Sequence, residues 1–285
     1  MNRQVKVVTD STSYLPEERI AKHDIGVMRL QVTVGDRIGL EGTEVSPEDV
    51  ANALRARQSV STALPAPAAV DEAIRDAAAG DHDVCVVHLS SVLSGTYAAT
   101  RARAGALEAE LGVSIEVVDS RQVAMGLGFA VLSAVMAAEE GKPVTEVAAA
   151  AIKTASTTES FFLVDTLEHL RRGGRLNASQ ALLGTALAIK PILEVRDGAV
   201  VVKEKVRTTA RALDRLGQLA EQVAGVRPVR IAIHHLAAGD AAMILKERIS
   251  AAVKLAEPPI VCEVGAVVGA HVGPGLLGVV VSPAP

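Results

Sequence analysis

Tryptophan is absent, and all aromatic residues together make up 2% of the chain, while aliphatic and other apolar residues bring the hydrophobic share to 49%. A core without large rings must be built from Ala, Val, Leu and Ile, which pack helix on sheet and leave smooth aliphatic walls around any cavity. Excess positive charge is also missing. The formal net charge is −4, so there is no electrostatic footprint for nucleic acid. Basic residues are scattered singly rather than in runs, which leaves no polybasic patch for a membrane surface. There are only two cysteines, Cys85 and Cys262, both inside apolar strand-like runs, and they read as buried reduced thiols. No CxxC or HExxH spacing occurs, so no metal is expected. The most apolar stretch, residues 124–138, is interrupted by Ser133 and is too short for a bilayer core of ~30 Å. The N-terminal residues run straight into a strand pattern without a signal-peptide core. A cytoplasmic, soluble protein without stable membrane insertion is expected.

At 285 residues the chain is long enough for one large domain or two modest ones. Over the first half, β-branched runs alternate with helical periodicity. Strands are predicted at 5–9, 25–34, 84–88 and 113–118, and helices from Pro16, at 46–57, 68–79, 98–111, 123–140 and 143–154. Ser46 is a strong N-cap followed by Pro47. Residues 58–67, with three hydroxyls and two prolines, read as a loop. This order implies a mainly parallel sheet covered on both faces. Beyond residue 160 the pattern changes. Strand 161–164, a helical turn at 167–172, a helix at 177–188 and strands 191–195 and 199–206 around Asp197-Gly198 describe an antiparallel hairpin within a mixed sheet. Helices at 208–224 and 241–255 follow, with strands at 229–234, 260–268 and 276–281. The expected architecture is therefore two α/β domains, 1–160 with a mainly parallel sheet and 161–285 with a mixed one. No fixed-period repeat is evident.

Against this aliphatic background four polar clusters stand out. The run from Val84 to Tyr97 begins as a strand and ends in Ser94-Gly95-Thr96 before an alanine-rich helix. A strand that turns into a helix offers unpaired N–H groups and a favourable dipole to an anion, at the sheet end where ligands bind in open α/β folds. Ser61-Thr62 forms the second cluster. Arg171-Arg172-Gly173-Gly174-Arg175 is the third, with Lys190 and Arg207 as possible extensions of a basic rim. His271, in a glycine-rich loop between two strands, is the fourth. Gly126 and Gly128 lie within a helix, so close packing explains them better than a phosphate loop does. A Ser–His pair raises a serine hydrolase on acyl esters, through Ser94 and His271, as an alternative. Against it, Ser94 lies in Leu-Ser-Gly-Thr rather than Gly-x-Ser-x-Gly, and no acid is assigned to orient the histidine. A site for a sugar phosphate or similar small anion is a third reading.

Together these pieces resemble the DegV family, fatty-acid-binding proteins that act as lipid-carrying subunits of bacterial fatty acid kinases. The resemblance is carried by Val8-Thr-Asp-Ser-Thr12, His88-Leu-Ser-Ser-Val-Leu-Ser-Gly-Thr-Tyr97, Val118-Asp-Ser120 and Met125-Gly-Leu-Gly128. It continues through Val164-Asp-Thr-Leu167, Arg172-Gly-Gly-Arg175, Ile189-Lys-Pro-Ile192, Lys205-Val-Arg-Thr208 and Gly269-Ala-His271, and so spans essentially the whole chain.

The resemblance implies a two-domain α/β protein that holds one long-chain fatty acid with its carboxyl group near the domain junction and uses no cofactor. Thr62, Ser94 and Gly95 would hold that head, with His271 close by. A separate kinase catalytic subunit would convert the bound acid to an acyl phosphate, with Arg175 and Arg207 contacting the kinase or the phosphate. No catalysis by this chain itself is implied. Where the family usually has Thr-Ser-Gln-Pro-Ser, this chain has Thr62-Ala63-Leu64-Pro65-Ala66, and Val272 replaces a threonine after the histidine. Two hydroxyls, an amide and a further donor are thereby removed from around the head. Phe129, Phe161 and Phe162 are three of only five aromatics and would be the bulky determinants of chain length and saturation if they lined the acyl path.

Overall fold

The computed structural model describes residues 3–176 and 190–284. The helix expected over 177–188 lies outside the described residues. The chain divides into two compact units. The first comprises Met1–Gln31 and Ala63–Thr157 with the last residue, and the second Val32–Thr62 and Thr158–Ala284.

In the first unit, β1 (Val5–Asp10), β2 (Gly26–Met28), β6 (Asp83–His88) and β7 (Ile115–Asp119) form a wholly parallel sheet in the order β2-β1-β6-β7. Alternate residues serve opposite faces of a strand. Val8, Val84, Val86, Ile115 and Val117 thus share one core cluster with Val70 and Ile74 of the helix Pro67–Ala78 and Ala104 and Leu107 of the helix Thr96–Leu111. The intervening Val7, Cys85 and Val87 are equally buried, and the helix Met125–Glu139 packs on β1 and β6. Burial on both faces is why these strands read as unbroken apolar runs. Every residue of that helix from Met125 to Val135 is buried. Among the described residues, no helix is long and apolar enough to cross a membrane.

A Cβ on Gly128 would stand 2.8 Å from the carbonyl oxygen of Ser13 and 2.7 Å from Met125 Sδ. The glycine therefore serves close packing against the turn after β1, as its place inside a helix implies. Since a backbone carbonyl cannot swing aside, Gly128→Ala is expected to destabilise the protein by about 1–3 kcal/mol. Urea unfolding should show this as a lower midpoint at unchanged slope.

The second unit holds a mixed sheet in the order β10-β9-β8-β13-β11-β12. Its strands are β8 (Glu159–Leu163), β9 (Lys190–Arg196), β10 (Ala199–Val206), β11 (Val229–His235), β12 (Ile260–Glu263) and β13 (Leu277–Pro283). All neighbours pair antiparallel except β11 and β12. The β9–β10 hairpin turns at Asp197 and Gly198, both at positive φ (50° and 81°), as an Asp-Gly primed turn demands. Helices Thr209–Ala224 and Gly239–Ala252 cover one face through Leu216, Leu219, Leu245 and Ile249. Phe161 belongs to this core cluster, and Phe129 is buried in the first unit.

Four expectations are corrected. Residues 25–34 are not one strand. The chain leaves β2 after Met28, buries Leu30 with its N–H on Ser11 Oγ (3.1 Å), and starts β3 (Gln31–Val34) in a separate three-stranded sheet. That sheet has the order β4-β3-β5, with β4 (Arg37–Leu40) and β5 (Val60–Ala63), so residues 58–67 are not simply a loop. Domain 1–160 is therefore not continuous, because Val32–Thr62 groups with the second unit. Its helix Pro47–Arg55, with the reciprocal Ser46–Asp49 capping box, packs on the helix Ala266–Val272. Residues 260–268 are likewise not one strand, since β12 stops at Glu263 and a helix carries His271 in its last turn. The buried carboxylate of Glu41 accepts the Val267 N–H at 2.8 Å at that helix's open end. Gly269 lets it approach Leu236 and Val50. Tertiary packing thus overrides the strand preference of a β-branched run.

Candidate functional site

Ser94 and Gly95 belong to the first unit, and Thr62, Arg175, Arg207 and His271 to the second.

In the first unit β6 ends at His88, and residues 89–95 form a turn before the helix begins at Thr96. The turn hangs on Ser90, which is fully buried. Its N–H donates to Gln122 O at 2.8 Å, and its carbonyl accepts the N–H groups of Leu93 and Ser94, both at 3.0 Å. Ser94 is half-buried. Its Oγ shares a 2.9 Å hydrogen bond with Thr96 Oγ1 and accepts the Thr96 N–H at 3.3 Å. The N-cap residue Gly95 is exposed and offers no side-chain cap. A Cβ there would meet Leu64 Cδ2 at 3.0 Å. Leu64, one of the residues at which this chain departs from the usual loop of the family it resembles, therefore lies over the start of this helix.

Beneath the turn lies a buried network that sequence reasoning missed. Asp10 Oδ2 stands 2.9 Å from His88 Nδ1 and accepts the Leu89 N–H at 2.9 Å. His88 Nε2 and Thr100 Oγ1 are 2.8 Å apart. The signal was available only as two separated motifs, since contact between residues 78 positions apart is not encoded locally.

In the second unit Thr62 and His271 meet through a 3.0 Å hydrogen bond between Oγ1 and Nε2. Gly173, just after the helix Glu168–Arg172, lies so close to His271 Nδ1 that any Cβ would collide with the ring. Arg175 is half-buried, with Nη1 donating to Gly173 O. Burial first, and the Arg175 charge second, pull the His271 pKa down to about 4, so the imidazole is neutral at pH 7. Burial also lowers His169 and Arg175. Thr62, His271, Gly173 and Arg175 are thus brought together. Arg207 stands exposed after β10, and no described contact joins it to them. Val272 is buried, and Ala66 starts the helix Pro67–Ala78 without a side-chain cap.

A hydrolase through Ser94 and His271 finds no support here. A base with a pKa of about 4 is poorly matched to neutral pH, and the Ser94 hydroxyl is engaged by Thr96. Among the described residues no cluster of His, Cys, Asp and Glu could hold a metal. Cys85 is fully buried, whereas Cys262, on the edge strand β12, is only half-buried and sits 3.2 Å from His234 Nδ1. Desolvation pushes both thiols up to about 12, which leaves them inert.

The architecture is that of a two-unit α/β protein, with a parallel four-stranded sheet, a mixed six-stranded sheet and a small three-stranded one. The chain belongs to the DegV family: the model "Uncharacterised protein, DegV family" matches residues 4–284. It is 47% identical over 283 residues to a DegV domain-containing protein of Streptomyces coelicolor, covering 99% of each chain. A DegV domain-containing protein of Mycobacterium tuberculosis is 38% identical over 281 residues, covering 97% of this chain and 96% of the relative. Among solved structures, a fatty-acid-binding DegV family protein from Thermus thermophilus superposes with a TM-score of 0.90 at 30% identity, covering 99% of this chain and 100% of the other. DegV of Bacillus subtilis, a fatty acid binding protein, gives 0.86 at 28% identity with the same coverage.

Proposed function

We infer that this chain binds one long-chain fatty acid and carries it without catalysis of its own. The observation that carries this reading is the whole-chain match to DegV structures described as fatty acid binding. The candidate groups for the carboxylate are Ser94 and Gly95 in the first unit and Thr62 and His271 in the second. All are uncharged donors or acceptors, His271 because of its lowered pKa. A carboxylate met by hydroxyls and N–H groups is oriented without being neutralised by an ion pair. Its oxygen keeps its nucleophilicity, which suits presentation to a kinase. In that step the carboxylate oxygen attacks the γ-phosphorus of ATP held by the kinase, ADP leaves, and an acyl phosphate forms. Arg175 and Arg207 are the candidates for meeting the phosphate or the kinase. Two cysteines that form no disulfide suit a reducing, cytoplasmic setting.

Organic extraction of protein purified from a bacterial host, followed by mass spectrometry, should yield about one long-chain fatty acid per chain. A protein that comes out empty and takes up no added fatty acid would end this reading. Ser94→Ala should release the acid on the order of tenfold faster, the loss of one hydrogen bond to a charged group. His271→Ala should impair phosphorylation by a partner kinase more than it impairs binding. Full-rate phosphorylation on that variant would remove His271 from the transfer step.

A further inference from the structure

The turn that carries Ser94 is held from beneath by groups closed to solvent. Asp10, Thr12, His88 and Thr100 are each fully buried. Asp10 ends β1 and caps the short helix Ser11–Ser13. Its Oδ1 accepts the Thr12 N–H at 3.1 Å and the Thr12 hydroxyl at 2.5 Å. Its Oδ2 accepts the Leu89 N–H at 2.9 Å and faces His88 Nδ1 at 2.9 Å.

Both carboxylate oxygens are therefore approached by backbone N–H groups and act as acceptors. His88 accordingly presents Nδ1–H to Asp10, and its Nε2 shares a 2.8 Å hydrogen bond with the Thr100 hydroxyl. His88 precedes the turn and Thr100 follows it, twelve residues on. Their side-chain bond closes a ring around the turn, and Asp10 sets the orientation of the imidazole in that bond. Leu89, the first residue of the turn, is tied to the same oxygen.

We propose that Asp10 is a positioning residue of the ligand site: acting through His88 and Leu89, its carboxylate sets where the Ser94 hydroxyl stands. For its consequence on ligand, this rests on the fatty acid reading. Asp10 touches no ligand and is not a catalytic residue. An arrangement of carboxylate, imidazole and hydroxyl usually suggests nucleophilic chemistry, but complete burial keeps Thr100 from any substrate.

Asparagine provides a test in nearly the same volume. Its amide nitrogen must replace either Oδ1 or Oδ2. In both placements an N–H then faces a backbone N–H, of Thr12 or of Leu89. Asp10→Asn should therefore loosen the turn without opening a cavity.

Delipidated wild type, Asp10→Asn, Ser94→Ala and the double variant would be loaded with labelled palmitate and followed for release. In parallel, amide hydrogen exchange would be measured over residues 89–95. Asp10→Asn should release palmitate on the order of tenfold faster, and the effect should vanish in the Ser94→Ala background, because Asp10 acts through Ser94. Release as slow as in wild type, or an effect that adds in full to Ser94→Ala, would overturn the proposal, since a merely structural role gives additivity. If wild type takes up no palmitate, the fatty acid reading falls. Exchange then decides the positioning role alone: faster exchange across residues 89–95 supports it, and unchanged exchange overturns it. Should Asp10→Asn fail to fold, Thr100→Val removes only the hydroxyl that closes the ring and is read by the same criteria.

Discussion

Lowering the pH from 6.5 to 4 is expected to cost the ligand-free protein about 3 kcal/mol for each of two histidines, His234 and His271. Both are buried and both are drawn from 6.5 down to about 4, chiefly by desolvation of the charged form. Between those values the unfolded chain binds a proton at each site and the native chain does not. Unfolding is thus coupled to proton uptake, and stability rises with pH across the window. The full contribution is present above 6.5 and is lost as the pH falls towards 4. His169, lowered by burial and by Arg172, adds in the same sense. Glu159, raised by burial and by Glu194, acts in the opposite sense. Carboxylates held low by hydrogen-bonded partners, such as Asp49 with Ser46 and Glu204 with Arg215, add a loss in the same sense only at the acid end, where the unfolded carboxyls begin to protonate, so the upper part of the window belongs to the histidines. Urea midpoints at pH 7, 5.5 and 4.5 should fall steeply. In His271→Asn, which keeps a polar group for Thr62, about half of that dependence should disappear. A flat profile, or a His271→Asn profile as steep as wild type, would contradict the buried neutral imidazole.

Removing bound fatty acid should lower the melting temperature by roughly 10 °C. A ligand that binds only the native state stabilises it by about 4 kcal/mol at a thousand times its Kd. For a chain of this size each kcal/mol moves the midpoint by about 2–4 °C. Affinity of that order is reasonable for a long acyl chain. Each buried methylene contributes about 0.8 kcal/mol, and the losses of rotational and chain freedom consume only part of the sum. Scanning calorimetry on protein as purified, solvent-stripped, and stripped then reloaded with palmitate should give high, low and restored midpoints. Three equal midpoints would argue that the acid is not bound in the folded interior, whatever extraction yields.

The two effects are separable because they act on different states. The acid effect is measured without ligand, and the lipid effect at pH 7, where both histidines are neutral. Asp10→Asn adds a third axis, since it should change release at neutral pH through the Ser94 turn.

Local chemistry written in neighbouring residues decided much of this protein. Strand-helix alternation over the first half follows from periodicity, because a parallel sheet covered on both faces needs apolar strands joined by helices. The β9–β10 turn follows from Asp197-Gly198, which tolerate the positive φ a tight hairpin requires, and the helix after Ser46 from its capping box. The candidate ligand residues were legible as hydroxyl, glycine and arginine clusters in an aliphatic background. Tertiary structure alone decided the rest. Val32–Thr62 groups with the second unit because Glu41 and Val50 find their partners on the helix Ala266–Val272, more than two hundred residues later. That helix forms from a run that reads as strand because those distant contacts outweigh β-branched preference. His271 is neutral because folding removes water and brings Arg175 near, neither of which residue type reveals. The placing of Ser94 over Asp10 and His88 is a contact between two strand ends, which exists only once β1 and β6 lie side by side.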